Sequence, residues 1–334
     1  MRITASTIAW AEELVETPEK NAPELADLPD CFQWRDTLRQ VTTTLHDTSV
    51  LGMPTPHGVL FFGPPGNGKH TLARAYISTL WHGRNVGHEL VPLFRVDASQ
   101  FPEGLDLQKA LDRIDTVFDV ISGPKKYDFC DDAEFGIILF DQMERYAHVD
   151  ALAYSIAQWT ADLSDHAAVI CITEDESIIP SDLRRALFPC RCSNPGPRLR
   201  QQILEWGLRW TTVSNDRSVS IDLGLNGISE DEIVQRTDGL NCAGLHDLVM
   251  QLRLAGLTKI LDSDRPNISV PLEEDVILNA LELQERRAAP ATVPTVIQTV
   301  AVPAGGVSSV QLGAEVDPQE DTGDMTEEEY FNYF

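Results

Sequence analysis

Short apolar runs alternate with segments of helical spacing in the first two thirds of the chain. The runs GVLFF, LFRVDA, FGIILFD and AAVICIT begin at positions 58, 93, 135 and 167. A strand that is buried on both faces of a parallel sheet is apolar throughout, whereas a helix beside the sheet repeats its apolar residues every three or four positions, as LDLQKALDRIDTVFDVI does. The pattern predicts an α/β domain over residues 51–196, in which helices sandwich a parallel sheet.

Other segments flank this domain. Residues 1–50 have polar helical spacing interrupted by prolines, which predicts an N-terminal helical segment, and residues 197–287 have helical spacing only, which predicts a small all-helical domain. Residues 288–334 are first rich in Pro, Ala, Val and Gly and then end in EEEYFNYF, which predicts a flexible linker and an acidic, aromatic tail. The N-terminal segment also contains three aromatic residues that could dock on another surface: Trp10, Phe32 and Trp34.

A glycine-rich turn joins the first apolar run to the helix after it. Its sequence matches G-x-x-x-x-G-K between a predicted strand and a predicted helix, which is the setting in which this motif binds phosphate. The glycines let backbone N–H groups approach phosphate oxygens, the positive end of the helix attracts them, and the lysine would reach the β- and γ-phosphates. The nucleotide-binding residues predicted in this turn are Gly63, Pro64, Pro65, Gly66, Asn67, Gly68, Lys69, His70 and Thr71.

The segment MPTPHGVLFFGPPGNGKHTLARA resembles the first strand, the phosphate loop and the first helix of AAA+ ATPases. The resemblance extends over about residues 35–285. It implies an α/β domain with a helical lid that together hold ATP and Mg²⁺. It also implies an oligomeric ring in which hydrolysis moves a protein or nucleic-acid substrate.

The residue after the lysine departs from the family pattern. The family has Ser or Thr there, whose hydroxyl binds Mg²⁺, whereas this chain has His70. An imidazole is a poorer ligand for a hard cation that prefers oxygen. Thr71 could compensate in part, and His70 could also be a tolerated residue in a site that still binds nucleotide.

The third apolar run continues into IILFDQMERY, which resembles the acidic motif of the family. Asp141 matches the carboxylate that holds Mg²⁺ through a water and is the predicted metal ligand, but Gln142 replaces the glutamate that acts as general base. An amide cannot accept the proton, and a general base contributes about 10²–10⁴-fold. A glutamine can nevertheless orient the attacking water, as in some GTPases. Glu144 lies two positions further on, and we expect it to point elsewhere.

The resemblance also implies candidate catalytic residues in the next two segments. VICITEDES has Thr173-Glu174 where the family has a Thr-Asn pair that senses the γ-phosphate. Phosphate repels a carboxylate, so Glu174 either turns away or marks a site that has lost this role. PSDLRRALF resembles the segment of the arginine finger, which would make Arg184 or Arg185 the residue offered to a neighbouring subunit. A solvated helix end explains this pair equally well.

Two further matches are with the lid and the substrate loop. DGLNCAGLHDLVMQL resembles the lid motif near the adenine, where Ala243 and Gly244 permit close approach, although the arginine of the second sensor is not evident. A substrate-gripping loop is expected near Phe101-Pro102-Glu103-Gly104. A single Phe beside Pro fits packing inside the domain as well as it fits such a loop.

Charge and cysteine content limit the partners and the compartment. The chain has 52 acidic and 26 basic residues, for a net charge of -26, so bulk nucleic acid and anionic lipid are repelled. The six cysteines lack the paired spacing of a zinc site, and Cys190 and Cys192 fit alternate positions of a strand. No apolar stretch approaches the roughly twenty residues of a membrane span, which predicts a soluble, cytoplasmic protein.

These departures favour a subunit that binds ATP and Mg²⁺, hydrolyses ATP slowly or not at all, and uses binding as a switch. It would form a homo- or hetero-oligomer with AAA+ subunits and could recruit a protein client through its tail. Two alternatives remain open. One is an active remodelling ATPase in which Gln142 orients water, and the other is an interaction scaffold that does not bind nucleotide.

Overall fold

The computed structural model describes residues 3–16, 22–28, 32, 34–46, 57–84, 91–102, 105–123, 126–130, 133, 135–146, 150–163, 167–214, 217–261 and 267–288. The helices are α1 Ala5–Glu13, α2 Arg35–His46, α3 Lys69–Arg84, α4 Leu107–Ser122, α5 Asp150–Ala161, α6 Ser181–Ala186, α7 Pro197–Leu208, α8 Glu230–Arg236, α9 Cys242–Leu261 and α10 Glu274–Ala288. The strands are β1 Val15–Glu16, β2 Gly58–Phe62, β3 Leu93–Val96, β4 Gly136–Phe140, β5 Ala167–Thr173, β6 Phe188–Arg191, β7 Arg209–Ser214, β8 Arg217–Leu225 and β9 Asn267–Leu272. The tail predicted for residues 310–334 lies outside the described residues.

Six strands form a mostly parallel sheet in the order β1-β3-β4-β5-β2-β6. The edge strand β1 pairs antiparallel with β3, and the other pairs are parallel. Every residue of β2, β4 and β5 is buried, as expected for apolar runs in the middle of a sheet that is covered on both faces. Because these strands are parallel, their carboxyl ends lie at one edge, and the predicted α/β fold is confirmed.

The core of this part lies on both faces of the sheet. Successive residues of β2 belong to different clusters, Leu60 with Phe94 and Phe118 on one face and Phe61 with Tyr76 on the other. A strand has a side-chain period of two, so a strand that is apolar at every position contributes to two cores at once. The sheet therefore holds its carboxyl edge rigidly between two packed layers.

The aromatic residues of the N-terminal segment pack on the same molecule. The Trp10 ring lies against the first cluster, with the Arg113 guanidinium 5.1 Å from its centroid. Trp34 Nε1 donates a hydrogen bond to the Arg191 carbonyl at 2.8 Å, and Phe32 packs on the second cluster. These side chains thus hold the N-terminal segment on the α/β domain.

The prediction of an all-helical domain for residues 197–287, the part that begins with α7, is wrong. Besides α7–α10 it contains a second sheet, in which β8 pairs antiparallel with β7 and parallel with β9. The missed signal is the period-two alternation of SVSIDLGL in β8, which is too polar to form an apolar run. One face of this sheet is buried, because Leu223, Val270 and Leu272 pack with α9 and α10 in a separate core.

The sequence also predicted alternate strand positions for two cysteines and no membrane-spanning segment. Cys190 and Cys192 are both buried in the second cluster, one face of β6 and its extension, which confirms that they occupy alternate positions. The cysteines of the described ranges are free thiols. Within those ranges, every helix is too short or too polar to cross a bilayer.

Candidate functional site: a nucleotide cavity between the phosphate loop and the lid

The phosphate loop joins β2 to α3 at the carboxyl edge of the sheet. Its glycines Gly63, Gly66 and Gly68 have φ angles of 130°, 72° and 78°, which residues with a side chain rarely adopt. A Cβ on Gly63 would lie 2.2 Å from the Cys192 carbonyl oxygen, and one on Gly66 would lie 2.4 Å from Asn241 Nδ2. The backbone conformation and the available space therefore both require glycine here.

Lys69 begins α3 and is 4% exposed. Its Nζ donates hydrogen bonds to the carbonyls of Gly63 at 2.7 Å and Pro64 at 2.8 Å. Burial lowers the pKa of Lys69, and the nearby carboxylates, Glu174 first among them, oppose that effect. The amino group is thus held over the loop, where phosphate oxygens can replace the two carbonyls as acceptors.

His70 and Asp141 are in direct contact. His70 Nε2 lies 2.9 Å from Asp141 Oδ1, which also accepts a hydrogen bond from the Gln142 backbone N–H at 2.8 Å. Arg95 Nη2 lies 3.5 Å from the other oxygen, Oδ2. Burial favours a higher pKa for Asp141, but the contacts with His70, Arg95 and the Gln142 N–H prevail and lower it. Asp141 is therefore an ionised carboxylate, 3% exposed, with both oxygens engaged by protein groups.

Gln142 lies two residues after the end of β4 and has a left-handed backbone, with φ 50° and ψ 47°. A short turn over Met143–Arg145 comes next and brings Glu144 back to the sheet edge. Glu144 Oε2 accepts a hydrogen bond from the Glu174 backbone N–H at 3.1 Å. Glu144 is thus held beside the end of β5 and does not line the cavity, so its part in catalysis stays a prediction.

The Thr173-Glu174 pair ends β5. The Thr173 hydroxyl is buried and forms hydrogen bonds with the Asp175 backbone, as donor to its carbonyl and acceptor from its N–H, each at 3.2 Å. Glu174 lines the same cavity as Lys69 and Asp141. Its carboxylate is near enough to Lys69 to oppose the lowering of that pKa, and the loss of the sensing role stays a prediction.

The two candidate finger arginines differ in their contacts. Arg184 donates to the Ile179 carbonyl, to the Glu176 carbonyl and to the Glu176 carboxylate, the last at 3.1 Å. Arg185 contacts the Asp182 carboxylate at 2.8 Å, and its side chain is 77% exposed. Neither lines the nucleotide cavity of its own chain. Arg185 is the more exposed of the two, and it also contacts the Ser181 carbonyl.

The N-terminus of α9 contacts the phosphate loop. Asn241 caps this helix, since its Oδ1 accepts from the Gly244 N–H at 2.8 Å, and its Nδ2 donates to the Pro65 carbonyl at 3.2 Å. The Ala243 N–H donates to the Gly66 carbonyl at 3.0 Å. Ala243 therefore contacts the loop and lines the cavity, whereas Gly244 contacts the capping residue Asn241, and their place near the adenine stays a prediction. Asn241 was missed, although Asn directly before a helical pattern is a capping signal.

A second polar link joins the loop to the region before α9. Asn67 is 4% exposed, and its Nδ2 donates to Asn194 Oδ1 at 3.0 Å. Asn194 Nδ2 donates in turn to the Gly239 carbonyl at 3.0 Å. Asn67 thus links the loop through Asn194 to the turn before α9, and its predicted part in nucleotide binding stays a prediction.

These elements enclose a cavity of about 760 Å³, within the size range of small-molecule sites. Its lining brings together residues that the sequence predicted: Lys69, His70, Thr71, Asp141, Gln142 and Glu174. It also contains residues that were missed: Phe32, Arg95, Arg145, Ile203, Trp206 and His246. A signal existed for Arg95, since it is a charge inside the apolar run LFRVDA. The others come from distant segments, which only the fold brings together.

Two residues of the candidate substrate loop, Phe101 and Pro102, belong to the described residues. Phe101 packs against the first core cluster, and its ring stacks on Tyr146 with centroids 4.8 Å apart. Glu103 and Gly104 lie outside the described residues. The position of Phe101 agrees with packing inside the domain, the second of the two readings offered by the sequence.

The cavity fits a nucleotide and fits a divalent ion poorly. The phosphate loop, Lys69 and the volume of the cavity all suit a nucleoside phosphate. For Mg²⁺, an imidazole replaces the expected hydroxyl, and both Asp141 oxygens are already engaged. Nowhere in the described ranges do three or more His, Cys, Asp or Glu side chains form a group that could hold a metal. An ion at Asp141 would have to displace His70 and Arg95.

Comparison with known proteins agrees with this geometry. The family model described as ATPase family associated with various cellular activities (AAA) matches residues 59–192. The ATP-dependent zinc metalloprotease FTSH 9 of Oryza sativa subsp. japonica is 29% identical over 254 residues, 70% of this chain and 28% of that protein. The proteasome-activating nucleotidase of Methanoculleus marisnigri is 36% identical over 85 residues, 25% of this chain and 21% of that protein. The matched region thus spans less than a third of either relative.

Solved structures show the same fold at low identity. The FIGL-1 AAA domain in complex with ADP has a TM-score of 0.55 at 16% identity, covering 87% of this chain and 92% of that one. A solved structure that concerns katanin self-assembly has a TM-score of 0.53 at 17% identity, and the match covers 84% of this chain and 92% of that one. The likeness supports the arrangement of a mostly parallel sheet with a lid.

Proposed function

Since this chain belongs to the AAA+ family of P-loop ATPases, we propose that it binds ATP between the phosphate loop and the lid and hydrolyses it slowly or not at all. Binding would then act as a conformational switch. The observation that carries the proposal is the contrast within one cavity. Lys69 is held by the carbonyls of an intact loop that is joined to the lid, whereas the hydrolysis positions carry His70 and Gln142.

The binding half of the proposal depends on the loop and the lid. The three glycines have the backbone that phosphate approach requires, and Asn241 and Ala243 hold the lid helix against the loop. A ligand in the cavity would contact both parts at once. Nucleotide binding would therefore stabilise the closed contact between lid and loop, which is how the ligand would shift the populations of two conformations.

The slow-hydrolysis half depends on the missing base. The Gln142 amide cannot take a proton from the attacking water, which removes a contribution of about 10²–10⁴-fold. Glu174 adds a negative charge to the cavity, where negative charge develops during phosphoryl transfer. Both features reduce the rate without removing the phosphate loop.

The test is ATP binding and turnover by the purified full chain and three variants. Lys69→Ala should abolish binding. Gln142→Glu should keep binding and raise turnover, while Lys109→Ala, an exposed lysine on α4, serves as the matched control and should match wild type. Substantial wild-type turnover that depends on Lys69 would show a working motor and overturn the switch. Absence of binding would leave only the scaffold alternative.

One observation favours a second candidate, an active ATPase that uses Glu144. Its carboxylate lies between the ends of β4 and β5, held by the Glu174 N–H, although it is two positions from the family's base. In this case Glu144→Gln should remove most of the turnover and leave ATP affinity unchanged. Glu176→Gln, in the loop after β5 and outside the cavity, is the control. Equal activity of both variants would exclude Glu144 as the base.

The proposal extends to assembly. We propose that subunits associate so that Arg185 of one approaches the nucleotide of the next, because Arg185 is exposed and Arg184 is held within its own loop. The acidic, aromatic tail would recruit a protein client, with acids that steer encounter and aromatics that provide affinity. Analytical ultracentrifugation with and without ATP tests the assembly, and an unchanged monomer in both conditions would oppose it.

A further inference from the structure

The position that a magnesium ion needs at this site is occupied by protein groups. Asp141 Oδ1 is 2.9 Å from His70 Nε2 and accepts the Gln142 N–H at 2.8 Å, and Oδ2 is 3.5 Å from Arg95 Nη2. Asp141 is 3% exposed, so its carboxylate has little free surface with which to orient a hydrated ion. Mg²⁺ demands nearly ideal octahedral oxygen geometry and gives up its waters reluctantly, so it competes poorly for an engaged carboxylate.

Arg95 brings a permanent positive charge to the same place. A guanidinium stays protonated and binds phosphate through several N–H donors. Arg95 lies on β3, beside β4, which ends one residue before Asp141, and it lines the cavity together with Lys69 and Arg145. These three cations face four carboxylates of the same lining, those of Asp27, Asp97, Asp141 and Glu174. Arg95 is paired with Asp141, so Lys69 and Arg145 are the other cations of this lining that can balance a phosphate chain.

We propose that this cavity binds nucleoside phosphates without a divalent cation, with His70 and Arg95 at the position that the ion would otherwise take. The inference rests on the proposed function, since it concerns the same nucleotide site. His70 is then a positioning residue: it holds the Asp141 carboxylate away from any ion, and Arg95 supplies the charge. The state of the switch would follow nucleotide concentration rather than magnesium concentration.

The test is titration of the full chain with fluorescent ATP and ADP analogues in EDTA and in MgCl2. Wild-type affinity should change by less than about twofold between the two buffers, whereas His70→Thr, which restores a hydroxyl, should bind the ATP analogue at least tenfold more tightly with Mg²⁺, about 1.4 kcal/mol. The matched control is His82→Thr on the same helix, where His82 contacts Glu24 outside the cavity. It should match wild type.

A second measurement uses the wild-type chain alone, so it does not depend on how a variant folds. Excess protein is added to the Mn²⁺ complex of ATP, and free hydrated Mn²⁺ is followed by electron paramagnetic resonance. Binding of metal-free nucleotide should release Mn²⁺ and raise the free signal. A fall of that signal, or wild-type affinity that drops tenfold or more in EDTA, would overturn the inference and leave the proposed function intact. Absence of nucleotide binding in every buffer would overturn both.

Discussion

Asn241 Nδ2 donates a hydrogen bond to the Pro65 carbonyl at 3.2 Å, while Asn241 Oδ1 caps the lid helix α9. One side chain therefore stabilises the helix and joins it to the phosphate loop. Asn241→Ala should lower the free energy of unfolding by about 1 kcal/mol through the lost cap. It should also weaken nucleotide binding, because the loop loses one of its hydrogen bonds to the lid.

Asn241→Ser separates these two effects. A serine oxygen can cap the helix, but it cannot reach across to Pro65 as the amide does. The serine variant should keep wild-type stability in urea denaturation and still lose nucleotide affinity in titration. Wild-type affinity in the serine variant would show that the contact with Pro65 does not matter for binding.

Arg184 and Arg185 should differ in their effect on stability. Arg184 makes three hydrogen bonds within the loop between β5 and α6, and its side chain is 38% exposed, so Arg184→Ala should cost about 1 kcal/mol after allowance for solvent screening. Arg185→Ala should stay within about 0.5 kcal/mol, as is usual for exposed residues. Urea denaturation of the monomer measures both, and equal losses would contradict the difference in contacts.

Phe101 should contribute to stability, because it stacks on Tyr146 rather than facing solvent. It is half-buried, so Phe101→Ala should cost about 1–3 kcal/mol, below the 3–5 kcal/mol of a fully buried aromatic ring. Phe101→Leu should recover part of that loss. Thermal denaturation gives the answer. A Phe101→Ala variant as stable as wild type would instead favour a substrate-gripping role.

The Asp141 carboxylate should make stability depend on acidic pH. Its pKa in the folded chain is below the ordinary value, so its ionised form stabilises the fold. This stabilisation is fully present above the unfolded pKa of about 3.9 and is lost as pH falls through the folded pKa. The difference in free energy of unfolding between wild type and Asp141→Asn should therefore shrink as pH is lowered from about 6 to about 3. Urea denaturation across that range would refute the expectation if the difference stayed constant.

Local sequence patterns anticipated much of the α/β part. The apolar runs of β2, β4 and β5 are typical of strands covered on both faces, and the glycine-lysine turn between a strand and a helix located the phosphate loop. The second sheet was harder to predict, because β8 and β9 have one buried face and polar residues between. A strand with alternating polar residues has no uninterrupted apolar run, and its amino-acid composition resembles that of the irregular segments around it.

The sequence by itself determined the sheet, the glycines of the phosphate loop and the identities of His70, Gln142 and Glu174, since each depends on residue type and near neighbours. Only the tertiary structure decided which groups meet. The contacts of His70 with Asp141, of Glu144 with the Glu174 N–H and of Asn241 with Pro65 join segments from 30 to 176 residues apart. Parallel strands bring their carboxyl ends to one edge whatever their order in the chain, so the chemistry of this edge is set by packing across the sheet and the lid.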